Sequence, residues 1–141
     1  MPQITAAGHA LQYQWIAGPA SRPTLVFLHE GLGSIRQWRD FPERVAHATG
    51  CRALVYDRYG YGSSDVLREP AVGMEFMHDA ALNELPELLE NLAVENPILV
   101  GHSDGASIAL IHAGTYQVRG VVTMAAHVFV DDFGLTSIRN L

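Results

Sequence analysis

The stretch Gly101-His102-Ser103-Asp104-Gly105 sets a serine hydroxyl between two glycines, in the pattern G-x-S-x-G. A strand-like run, Pro97 to Val100, precedes it, and a helical pattern starting at Ala106 follows. Strand, sharp turn and helix are the setting in which this pattern serves nucleophilic attack on an acyl carbon. The turn forces its central residue to positive φ, at a cost of order 1–3 kcal/mol. Residues two before and two after must be small, because side chains there would collide across the turn. Gly101 and Gly105 meet that demand. The return is a Ser103 hydroxyl exposed above a helix N-terminus, whose N–H groups and dipole favour an oxyanion. Outside that setting the same five residues would be a chance pattern in a Gly-rich loop.

Two further stretches stand at strand ends. Leu28-His29-Glu30-Gly31-Leu32-Gly33-Ser34 follows an apolar run, and its glycines let backbone N–H groups approach a ligand. A donor from this loop and the N–H of Asp104 could converge on one oxyanion; alternatively the loop is a plain strand-to-helix turn. Tyr56-Asp57-Arg58-Tyr59-Gly60-Tyr61-Gly62-Ser63-Ser64 reads as a tight turn with aromatic flanks. Asp57 and Arg58 have catalytic side chains, but a structural bond anchoring the loop is the favoured reading. His29 is expected to brace its loop. His102 sits on the elbow and should point away from the serine hydroxyl. His9, His47, His78 and His112 show no metal-ligand grouping, so no metal and no cofactor is expected.

These residues need a scaffold that brings strand ends together. Thr24-Leu25-Val26-Phe27-Leu28, Ala53-Leu54-Val55-Tyr56, Ile98-Leu99-Val100 and Gly120-Val121-Val122-Thr123-Met124 are short continuous apolar runs, as strands buried on both faces read. Leu11 to Trp15 alternates apolar with polar and predicts a half-exposed strand in an N-terminal hairpin or edge. Helices are predicted over Trp38 to Thr49, stopped by Gly50, over Glu75 to Val94, and over Ala106 to His112. In the second, Met77, Ala81, Leu85, Leu88 and Leu92 form one stripe, and Pro86 should kink the helix or begin another. The alternation predicts an α/β fold, a mostly parallel sheet flanked by helices and joined by right-handed crossovers.

Composition narrows the function classes. The chain has 141 residues, 48% hydrophobic and 17% charged, which suits one folded domain and excludes a disordered one. With 9 Lys+Arg against 15 Asp+Glu the formal charge is -6, which argues against nucleic acid or an anionic membrane as partner. A single cysteine, Cys51, rules out an intramolecular disulfide and suits a reducing compartment. No run approaches the ~18 apolar residues of a membrane span, and the N-terminus has no signal-peptide pattern, so a cytoplasmic location is expected.

Taken in order, the His29 turn, the Asp57 to Ser63 turn and the Gly101 to Gly105 elbow resemble the N-terminal half of an α/β-hydrolase. The resemblance implies Ser103 as nucleophile and the Asp104 N–H as one oxyanion donor. It maps the second donor to Gly31, two residues past the loop histidine. Glu30 departs from the common His-Gly-x pattern, so Leu32 stands as the alternative donor. His29, Leu32 and His127 are expected around the substrate pocket. The family's acid and histidine come later in the chain, and they have no clear counterpart after Ser103. His127, with Asp131 and Asp132 nearby, is the one internal substitute for the base, although a pocket-wall role is favoured.

The resemblance therefore implies a truncated hydrolase fold, one partial domain over residues 1–141, with residues 133–141 starting a cap segment. Gly120–Met124 then becomes an edge strand. Three outcomes follow: a fragment of a longer enzyme, a homo-oligomer, or a complementing chain at that edge. The implied activity is hydrolysis of a small ester or related acyl substrate through an acyl-enzyme on Ser103, weak in this chain alone. The alternative is a non-catalytic binding or assembly module. A haloalkane-type hydrolase is disfavoured, because the nucleophile position holds serine rather than aspartate.

Overall fold

The computed structural model describes residues 1–68 and 73–141. Six strands form one sheet: β1 (Gln3–Ala6), β2 (His9–Ile16), β3 (Thr24–Leu28), β4 (Arg52–Tyr56), β5 (Ile98–His102) and β6 (Gly120–Met124). Their spatial order is β1-β2-β4-β3-β5-β6. The first two strands are antiparallel additions, a hairpin turning at Ala7 and Gly8 whose second strand pairs with β4. The β4–β3, β3–β5 and β5–β6 pairs are parallel, as the uninterrupted apolar runs predict.

Strand alternation sends β3 side chains to both layers. Val26 and Leu28 join Leu54, Tyr56, Leu99, Leu85, Leu88 and Ile108 in the larger core. Leu25 and Phe27 join Ala53, Val55, Val100, Ile35 and Ala46 on the other face. That second layer is covered by α1 (Phe41–Thr49), which begins later than the sequence pattern predicts. A short 3-10 turn, Ile35–Trp38, comes first, and Arg39 at φ 52 breaks the path before Pro42 opens the helix. Gly50 ends α1 in the left-handed region at φ 65, the stop that the sequence predicts.

The predicted helix over Glu75 to Val94 is three pieces. Helix α2 (Phe76–Asp79) runs into a π turn, Ala80–Glu84, and then into α3 (Leu85–Asn91). Pro86 lies in the first turn of α3 and lacks an N–H, and the Ala81 and Leu82 carbonyls before it accept His112 Nδ1 at 2.8 Å and the Tyr116 hydroxyl at 3.2 Å. Ala81, Leu85 and Leu88 of the expected stripe are fully buried. Helix α4 (Asp104–Ala113) follows β5 directly and starts two residues before the predicted Ala106. The last element, α5 (Asp132–Arg139), is capped by Asp131, whose carboxylate accepts the Gly134 N–H at 2.6 Å. None of its residues is buried.

No helix among the described residues is long and apolar enough to cross a membrane. Strand β6 pairs only with β5 among the described residues, and Val122 on it is 48% exposed.

Candidate active site

The C-terminal ends of β3, β4 and β5 meet along one edge of the sheet, and the site is built there. Ser103 has φ 52 and ψ -115, the strained conformation required at the apex of a strand-to-helix turn. Its N–H donates to the Met124 carbonyl at 2.8 Å, and its own carbonyl accepts from Ala106 and Ser107 at 3.0 and 3.1 Å. The backbone is thereby fixed on both sides of the hydroxyl. Among the described residues, no group hydrogen-bonds to Ser103 Oγ.

The flanking glycines are sterically required. A Cβ on Gly101 would meet the Gly105 carbonyl and lie 2.6 Å from the Ala106 Cα. A Cβ on Gly105 would run into the Leu28 carbonyl on β3. The elbow therefore locks α4 against the neighbouring strand. Asp104 is the first residue of α4, so its N–H has no acceptor within the helix.

Ser103 opens onto a cavity of about 370 Å³ lined by His29, Glu30, Gln37, Trp38, His102 and Ala125 among others. His29 is buried, and both ring nitrogens are engaged: Nδ1 donates to the Glu30 carbonyl at 2.8 Å, and Nε2 accepts the Arg58 N–H at 3.1 Å. Burial, with the Arg58 charge as a second cause, lowers its pKa to about 3. His29 is thus a neutral brace without a free lone pair for proton abstraction. His102 turns toward Trp38, the ring centroids lying 6.4 Å apart.

Gly31 abuts the start of α4, for a Cβ there would lie 2.6 Å from Asp104 Oδ2. Leu32 is 76% exposed, and Gly33 rather than Gly31 or Leu32 lines the Ser103 cavity. His127 is brought to Asp104 instead of the serine hydroxyl, with Nε2 3.3 Å from Asp104 Oδ1. Ser107 clamps its backbone, donating to the His127 carbonyl at 2.8 Å and accepting its N–H at 3.3 Å. The imidazole also borders a separate apolar cavity with Phe76, Met77, Leu110 and Phe129.

Asp57 and Arg58 hold loops together. Asp57 accepts the N–H groups of Ile35 (2.6 Å) and Ser63 (2.9 Å). The Arg58 guanidinium donates to the Glu30 carbonyl at 3.1 Å and packs over Tyr61. Beneath this loop lies Glu84, which the helical pattern does not single out. It points inward from the π turn, where Oε2 accepts the Tyr59 N–H at 3.0 Å and Oε1 is buried without a partner among the described residues. Burial pushes its pKa up to about 7. The one signal for Glu84 is its place within a turn of Ala81, Leu85 and Leu88. Trp38 and Gln37 of the cavity wall carry no comparable signal, because the 3-10 turn that aims them is too short to show a period. Among the described residues, no group of three His, Cys, Asp or Glu could hold a metal ion.

A model of the alpha/beta hydrolase family matches residues 25–140. Proline iminopeptidase of Lactobacillus helveticus is 28% identical over 118 residues, covering 83% of this chain and 39% of that enzyme. The sn-1-specific diacylglycerol lipase of Mus musculus is 32% identical over 103 residues, 73% of this chain and 32% of the lipase. A solved carboxylesterase structure from the thaumarchaeon Nitrososphaera gargenis superposes with a TM-score of 0.79 at 21% identity, covering 99% of this chain and 51% of the other. The chain spans about two fifths of the length of that iminopeptidase.

Proposed function

Because this chain belongs to the alpha/beta hydrolase family, we propose that Ser103 is the nucleophile of a hydrolase acting on a small ester or related acyl compound. The observation that carries this reading is Ser103 itself, held at φ 52 between β5 and α4 with its hydroxyl unclaimed beside a cavity. An iminopeptidase, a lipase and a carboxylesterase among the similar proteins support an acyl bond as the target.

In the proposed reaction Ser103 Oγ adds to the acyl carbon, and the carbonyl oxygen takes the negative charge. The N–H groups of Gly31 and Asp104 stabilise it, the second with the field of the α4 N-terminus behind it. Collapse expels the alcohol, which takes up the serine proton, and leaves an acyl-enzyme. Water then releases the acid and restores the hydroxyl. Both proton transfers need a general base. Among the described residues no histidine hydrogen-bonds to Ser103 Oγ: His29 is neutral and engaged, and His127 faces Asp104. The base would then come from residues outside these 141, whether further sequence of a longer enzyme, a second copy or a complementing chain. This same gap favours a second reading, a hydrolase-like binding module whose elbow is inherited but idle.

A fluorophosphonate probe separates the two, since phosphonylation needs a reactive serine but no turnover. Labelling of the wild-type chain at Ser103, lost in Ser103→Ala, is the expected result. An intact fold that stays unlabelled at every pH tested would sink the claim that this chain retains an activated serine.

A further inference from the structure

Three consecutive N–H groups in the turn after β3 compete for the role of loop donor to an oxyanion: those of Gly31, Leu32 and Gly33. Two are already spent on Glu30. The Leu32 N–H donates to Glu30 Oε2 at 2.7 Å, and the Gly33 N–H donates to the Glu30 carbonyl at 3.0 Å. That carbonyl also receives His29 Nδ1 at 2.8 Å and the Arg58 guanidinium at 3.1 Å, so the Glu30 peptide is pinned from three directions. The other carboxylate oxygen lies over Gly33, 2.9 Å from where a Cβ would stand. The Gly31 N–H has no acceptor among the described residues, and Gly31 is the loop residue that abuts Asp104.

We infer that Glu30 is a positioning residue: its carboxylate ties down the Leu32 N–H and so presents the Gly31 N–H as the loop's donor beside Ser103. The inference rests on the hydrolase reading of Ser103 and deepens it. A glycine or alanine at position 30 has no acceptor with which to close this bond. The carboxylate has a cost, for a negative charge on the cavity wall opposes a developing oxyanion. A glutamine keeps the acceptor oxygen and removes that charge.

The test compares fluorophosphonate labelling rates of Ser103 in wild type, Glu30→Ala and Glu30→Gln, with unfolding midpoints followed alongside. Glu30→Ala is expected to label about tenfold more slowly or worse, because a donor moved by even an ångström stabilises poorly. Glu30→Gln is expected to match wild type or exceed it. A role in stability alone would not produce that split. Labelling of folded Glu30→Ala at the wild-type rate, or equal slowing in both variants, would overturn the inference. Should Glu30→Ala fail to fold, amide exchange in the wild type decides: Leu32 is expected to be protected relative to Gly31 after correction for intrinsic rates. Equal exchange at the two amides overturns the inference. A wild type that never labels overturns the nucleophile reading, whereas the exchange measurement still judges Glu30.

Discussion

Two buried titratable side chains near the site pull stability in opposite directions with pH. Glu84 has its pKa raised from 4.5 to about 7 by burial. The folded state then binds more protons than the unfolded one between those values. Its favourable contribution is complete below about pH 4.5 and is lost as pH rises to 7. His29 has its pKa lowered from 6.5 to about 3, so the folded state binds fewer protons. Its contribution is complete above pH 6.5 and is lost as pH falls toward 3. Glu84→Gln isolates the first effect, since the amide oxygen can still accept the Tyr59 N–H. Relative to this variant, wild type should lose on the order of 3 kcal/mol between pH 4.5 and pH 7. Urea unfolding at pH 5 and pH 8 measures it, and parallel profiles for the two proteins would count against a strained carboxylate.

At the scale of elements, the features legible in the sequence are those with a period or a steric rule. The buried runs of β3, β4 and β5, the elbow glycines and the Gly50 stop all express local constraints that a linear pattern carries, whereas Gly120–Met124, expected to be buried on both faces, has no buried residue. What the pattern could not show is where a period is interrupted. The π turn at Ala80–Glu84 interrupts the helical repeat without a mark in the sequence, and Glu84, three residues after Ala81 and four before Leu88, is buried although its type reads as solvent-facing. Arg39 at φ 52 splits the predicted Trp38 to Thr49 helix for a similar reason, since no glycine marks the break. The roles of Asp104 and His127 depend on two strand ends meeting in space, which no spacing encodes. Helix α5 is the opposite case, with a cap but no buried residue. Its apolar residues Phe133 and Ile138 are 83% and 67% exposed. A helix so short is marginal without tertiary packing. Its amides should therefore exchange orders of magnitude faster than those of α4, whose Ala106, Ile108 and Ala109 are fully buried. Exchange at comparable rates in the two helices would mean that α5 has found a packing surface.

For the whole molecule, the sheet is finished on one side and open on the other. The β1–β2 hairpin closes one margin with antiparallel strands. At the other margin β6 pairs only with β5 among the described residues, and the chain just beyond it carries the exposed apolar residues Val128, Phe129 and Val130. An open edge beside apolar surface is a template for another strand. We propose that β6 takes one, from further sequence of a longer enzyme, from a second copy of this chain or from a complementing polypeptide, and that the base for Ser103 arrives with it. Sedimentation velocity across a concentration series should then show self-association of the isolated chain. Val122→Lys, which sets a charge on the exposed face of β6, should weaken that association by about tenfold or more, as lysines on natural edge strands do. Because Val122 lies across from Val100 in the β5–β6 register and away from the elbow, the variant should keep its fold. Association that ignores Val122→Lys would place the contact elsewhere. A chain that remains monomeric throughout would rule out the second copy, leaving further sequence of a longer enzyme or a complementing polypeptide as the source of both strand and base.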